Sequence, residues 1–81
     1  MPRFFVLRVP ENEGVVEVAA NDPANTVDQV GPYARVSAAG PIVIDRRATG
    51  CRHAVWYSAV AGLQDSHITQ HDKDALRVEA R

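Results

Sequence analysis

A β-rich run from Arg3 to Val9 ends at Pro10, and a second run, Val15 to Ala19, follows after Glu11-Asn12-Glu13-Gly14. Polar turn residues closed by glycine between two such runs predict a hairpin. Within the second run Val16 and Val18 fall on one face and Val15 and Glu17 on the other, the alternation of a strand with one buried side. Asn21-Asp22-Pro23 then has the form of a helix start, because aspartate accepts hydrogen bonds from unpaired amides and proline at the first helical position has no amide to lose. Ala24, Val27 and Val30 follow at helical spacing, and Gly31 stands where a left-handed cap ends a short helix.

Strand patterns return at Tyr33 to Val36, Ile42 to Asp45 and His53 to Val60, separated by turn-rich Ser37 to Pro41 and Arg46 to Gly50. The continuously apolar Ile42-Val43-Ile44 predicts a central strand covered on both faces. At the C-terminus two signals compete. Leu76-Arg77-Val78-Glu79 alternates like a strand, whereas Asp72 to Arg81 is rich in helix formers. Thr69-Gln70-His71-Asp72 fits a loose capping box, and Asp72, Asp74, Arg77 and Arg81 match the polarity of a helix dipole, which favours a C-terminal helix. The predicted fold is α+β: a small antiparallel sheet of about five strands, one short internal helix and a C-terminal helix.

Eighty-one residues suffice for one hydrophobic core and no more, so residues 1–81 are expected to form a single domain. Apolar residues make up 46% and charged residues 23%, a globular rather than a disordered composition. A net charge of −1 gives no global basic field to drive nonspecific nucleic-acid binding, so such binding would need a local patch. Cys51 is the only cysteine, which excludes an internal disulfide and suits a reducing, cytoplasmic compartment. The apolar run Phe4 to Leu7 is too short for an export signal or a membrane anchor.

Cys51, His53, His67 and His71 are the candidate metal ligands, having the right atoms for zinc. Against this, one residue between Cys51 and His53 is not a usual chelating loop, and a helix starting at Thr69 would separate His67 from His71. A Cys51/His53 nucleophile pair would share one strand face but has no orienting acid or oxyanion donor that the sequence identifies. Asp65, Asp72 and Asp74 suit capping or solvated positions better than acid–base catalysis. The isolated glycines form no phosphate loop, so neither a cofactor nor enzymatic activity is expected.

What remains is a recognition surface. Arg46, Arg47 and Arg52 bracket the turn leading to Trp56 and Tyr57, and arginine, tryptophan and tyrosine are the residue types that dominate interface hot spots. One of the two aromatics is expected in the core and the other at the surface. Glu11, Glu13 and Glu17 supply an acidic counterpart, or simply protect a hairpin edge. In size and build, as a single small domain with interaction residues and no catalytic motif, the chain resembles the anti-CRISPR proteins of phages and mobile elements. That resemblance implies a non-enzymatic inhibitor or adaptor whose partner is a protein complex, such as a CRISPR effector. A nucleic-acid module using the same arginines and a small metal- or thiol-dependent enzyme are the alternatives. No membrane partner is expected, and either a monomer or a homodimer fits.

Overall fold

The computed structural model describes residues 1–81 as two antiparallel sheets packed together with three helices, not one sheet of about five strands. The elements run β1 (Arg3–Leu7), a 3-10 turn (Pro10–Asn12), α1 (Glu13–Asn21), β2 (Asn25–Val30), β3 (Tyr33–Ala38), β4 (Ile42–Asp45), α2 (Arg46–Thr49), α3 (His53–Ser58), β5 (Val60–Gln64), β6 (Ser66–His71) and β7 (Ala75–Ala80). One sheet has the order β2-β3-β1-β5 and the other β4-β7-β6. No helix is long and apolar enough to cross a membrane.

The α+β class, the antiparallel pairing and strands β1, β3 and β4 agree with the sequence pattern; five other expectations are reversed. The second predicted strand is helix α1, because Val15, Val16 and Ala19 all reach the core, a one-sided spacing that only a helix provides. Asn21-Asp22-Pro23 does not open a helix. The Ala24 amide donates to Asp22 Oδ1 (2.9 Å) and the Asn25 amide to the Asp22 carbonyl (3.0 Å), so the same residues make a tight turn into β2. Gly31, with φ 56°, sits in the loop of the β2–β3 hairpin rather than at a helix end.

Residues His53–Ser58 are helical, and the predicted C-terminal helix is strand β7, whose Leu76 and Val78 are buried while Arg77 and Glu79 lie on the opposite side. Burying that alternating pair on a sheet outweighs the local helix propensity of the segment. Strand β4 is an edge and not a central strand, and Val43 is 48% exposed.

The core joins both sheets and the helices: Phe4, Val6 and Val36 from one sheet, Ile42, Ile44, Leu76 and Val78 from the other, Val15, Val16 and Ala19 from α1, and Trp56 and Ala59 from α3 and its end. Asp65 alone separates β5, in the first sheet, from β6, in the second. Its φ of 51° lies in the left-handed region, which aspartate tolerates better than most residues. The corner is tied by the Arg3 amide donating to Ser66 Oγ (2.8 Å), Ser66 Oγ donating to the Gln64 carbonyl (2.7 Å) and the Arg81 amide donating to the Asp65 carbonyl (3.1 Å).

Gly14 lies inside α1, not in a hairpin turn, where the helix crosses the backbone of α2. A Cβ at this position would collide with the Thr49 carbonyl oxygen and stand 2.9 Å from its carbon. Backbone has no flexible end to swing aside, so Gly14→Ala should destabilise the fold by about 1–3 kcal/mol, despite alanine's better helix propensity. Urea unfolding of the variant against the native chain measures this.

Candidate functional site

The segment that carries Arg46, Arg47, Arg52, Trp56 and Tyr57 is a pair of short helices rather than a turn and a strand. Helix α2 ends at Gly50, whose φ of 70° supplies the left-handed cap and whose amide donates to the Arg47 carbonyl (3.3 Å). Thr49 Oγ1 donates to the Arg46 carbonyl (2.6 Å) and accepts from the Cys51 amide (3.1 Å), which turns the chain toward α3. Ser58 Oγ closes α3 on the Ala54 and Val55 carbonyls.

Both helices grip the turn between β6 and β7. The Trp56 indole Nε1–H donates to the Asp72 carbonyl (2.6 Å), the Arg46 guanidinium Nε to the Lys73 carbonyl, and the Arg46 amide to the Asp74 carbonyl (3.0 Å). Three consecutive carbonyls of the turn are thus taken by two residues of the helix pair. His71 returns the contact: its Nε2 lies 3.2 Å from the Trp56 carbonyl, and because a carbonyl only accepts, Nε2 carries the proton. The turn is stiffened from within by the Asp72 carboxylate, which accepts from the Ala75 (3.0 Å) and Asp74 (2.9 Å) amides. These backbone bonds, the Ala75 bond foremost, hold the Asp72 carboxyl below its ordinary value of 3.8. Asp72 therefore caps a hairpin turn, not a helix.

This grip divides the predicted surface in two. Trp56 is 1% exposed and belongs to the core, and Arg46 is committed to backbone carbonyls, so these two position the site. Arg47, Arg52 and Tyr57 are exposed, Tyr57 by 49%, so one aromatic is core and its neighbour surface, because successive helical residues point about 100° apart. The chain's ion pairs are Arg8–Glu13, Arg35–Asp28 and Arg77–Glu79, which leaves Arg47 and Arg52 without an acidic partner. His53 and His71, not included in the predicted recognition surface, extend it: the Tyr57 ring lies 6.4 Å from His53 and 5.2 Å from His71, and His71 stands edge-on to Trp56 at 5.4 Å. Read as a helix, His53 and Tyr57 are four residues apart and share a face, a signal hidden by the strand reading.

Beside this row, a shallow pocket of about 310 Å³ is lined by Glu11, Gly50, Cys51, Arg52 and Val55. The Cys51 thiol is buried there and lies 3.8 Å from the Glu11 carbonyl, to which it donates. Cys51 and His53 do not share a strand face, since Cys51 stands in the loop before α3. Cys51, His53, His67 and His71 are also not gathered together: no three His, Cys, Asp or Glu side chains lie close enough to hold a metal ion. His67 is on β6, opposite Glu79. Of the acidic residues, Glu13 pairs with Arg8, Glu11 rims the pocket, and Glu17 is exposed on α1.

Trp56→Phe keeps an aromatic ring but a smaller one, and leaves the Asp72 carbonyl without its donor, so it should cost about 2 kcal/mol. Arg47→Ala, which removes an exposed side chain with no hydrogen bond or ion pair, should stay within about 0.5 kcal/mol of the native chain. Chemical denaturation compares the two. A carboxyl whose folded pKa is lowered adds stability that is present above its unfolded value and lost as the pH falls through the folded one. Asp72→Ala should therefore be less stable than the native chain at pH 7 and lose less on acidification below pH 3.8, a difference that urea midpoints measured from pH 7 to about 2 will show. No protein-family model matches the chain, and no curated protein matches it in sequence.

Proposed function

We propose that the chain is a non-enzymatic binding protein, an inhibitor or adaptor, that takes a protein partner on the surface formed by Arg47, Arg52, His53 and Tyr57. The observation that carries this reading is the pair of exposed guanidiniums with no internal partner beside a half-exposed tyrosine, on helices fixed by Arg46 and Trp56. Arginine and tyrosine contribute most to binding when their geometry is set in advance, since less side-chain freedom is then lost on association. An inhibitor of the anti-CRISPR kind, blocking an effector complex, is the specific form of this proposal. Free guanidiniums imply carboxylates on the facing surface.

The test is affinity capture with the native chain and with the double variant Arg47→Glu/Arg52→Glu, each checked for its native circular dichroism. The variant should lose the captured partner by at least about tenfold, since truncating or reversing a hot-spot arginine costs about 2 kcal/mol or more. Undiminished capture would overturn the assigned surface. Binding of mixed-sequence DNA or RNA oligonucleotides that weakens steeply with added salt would instead assign the same arginines to phosphate.

A further inference from the structure

The two sheets present four edge strands, and three of them carry features that discourage pairing with another chain. Strand β4 has only four residues. Strand β5 is irregular where it meets β1, between Phe5 and Val6, and β6 is bulged between Ile68 and Gln70. Strand β2 has none of these devices. Its six residues pair with β3 in unbroken register from Asn25↔Ala38 to Val30↔Tyr33, and it contains no proline and no lysine. Beyond the Asn25 amide, which donates to the Asp22 carbonyl, its outer edge therefore offers a straight row of backbone donors and acceptors for a further strand.

We propose that β2 pairs antiparallel with β2 of a second copy of this chain, with Val27 on the two-fold axis, joining two four-stranded sheets into one of eight. The side chains select both occupant and register. With Val27 opposite its own copy, Thr26 sets a hydroxyl donor against the Asp28 carboxylate, and Asn25 meets Gln29, two uncharged amides already bonded within the chain to Ala19, Arg8 and Gly31, so no opposed pair brings like charges together. Centring the pairing on Asp28 would set like charges against each other, and centring it on Thr26 would bring Pro23 into the ladder and shorten it. Asp28 is held in place for this role by a bidentate contact to Arg35 (3.0 and 2.5 Å), which also keeps its carboxyl ionised below the usual carboxylate range. The strand shares no residue with the Arg47, Arg52, His53 and Tyr57 surface, so the dimer would carry that surface twice, and the two proposals stand or fall separately.

Sedimentation equilibrium tests this on the full chain. The native protein should pass from 8.8 kDa to twice that mass as concentration rises. Thr26 is exposed and faces Ser37 within its own sheet, so charges placed there should leave the fold intact. Thr26→Asp sets two pairs of carboxylates face to face across the axis and should weaken the dimer roughly tenfold, whereas Thr26→Lys sets ammonium against carboxylate and should tighten it several-fold. Opposite responses at one exposed residue are what this register requires and what a general loss of stability would not produce. A native chain that stays monomeric to about 1 mM, or a dimer indifferent to both substitutions, overturns the proposal.

Discussion

The pair of short helices depends on the grip of Arg46 and Trp56 on three successive carbonyls of the β6–β7 turn. Helices of four and six residues are too short to persist on their own, because the cost of nucleation is not recovered within one or two turns. They exist because tertiary contacts complete them. The indole of Trp56 fills the core on one side of α3 and donates to the turn with its polar edge, so one side chain supplies both burial and direction. The residues beside it inherit that rigidity: Arg47, Arg52, His53 and Tyr57 project from a surface whose backbone is already fixed.

Two local backbone features let the rest of the chain meet this arrangement. Asp65, in a left-handed conformation, carries the chain from one sheet to the other between two consecutive strands, and hydrogen bonds from both chain ends hold that corner. Gly14 allows α1 to lie against the backbone of α2, so that Val15, Val16 and Ala19 reach the same core as Trp56. The first concentrates strain in one residue, and the second removes a side chain where two backbones meet. Both are consequences of closing a core from seven short strands and three short helices in 81 residues.

Strands β1, β3 and β4 were legible in the sequence because β-branched and aromatic residues there are bounded by clear turn residues. Val15–Ala19 and Leu76–Glu79 were not, since a run of four or five residues fits either period and local propensity cannot choose between them. In α1 the presence of valines suggested a strand, and in β7 the presence of helix formers suggested a helix. In both, the chain adopts whichever state buries its apolar residues against neighbours distant in sequence. Asp22 and Asp72 show the same ambiguity on a smaller scale. A carboxylate that can accept amide hydrogen bonds suits a helix start and a tight turn equally well, and each ended in a turn.

By itself the sequence determined the α+β class and the antiparallel pairing, because composition and short-range spacing fix what is near in the chain. It also determined that one of two adjacent aromatics would be buried, which follows in a helix as in a strand. Only the tertiary structure decided that there are two sheets, that Arg46 and Trp56 hold the site while Arg47, Arg52 and Tyr57 face outward, and that His53 and His71 flank Tyr57. The physical reason is that each of these depends on contacts with the β6–β7 turn or across the sheets, between residues too far apart in sequence for any local pattern to record.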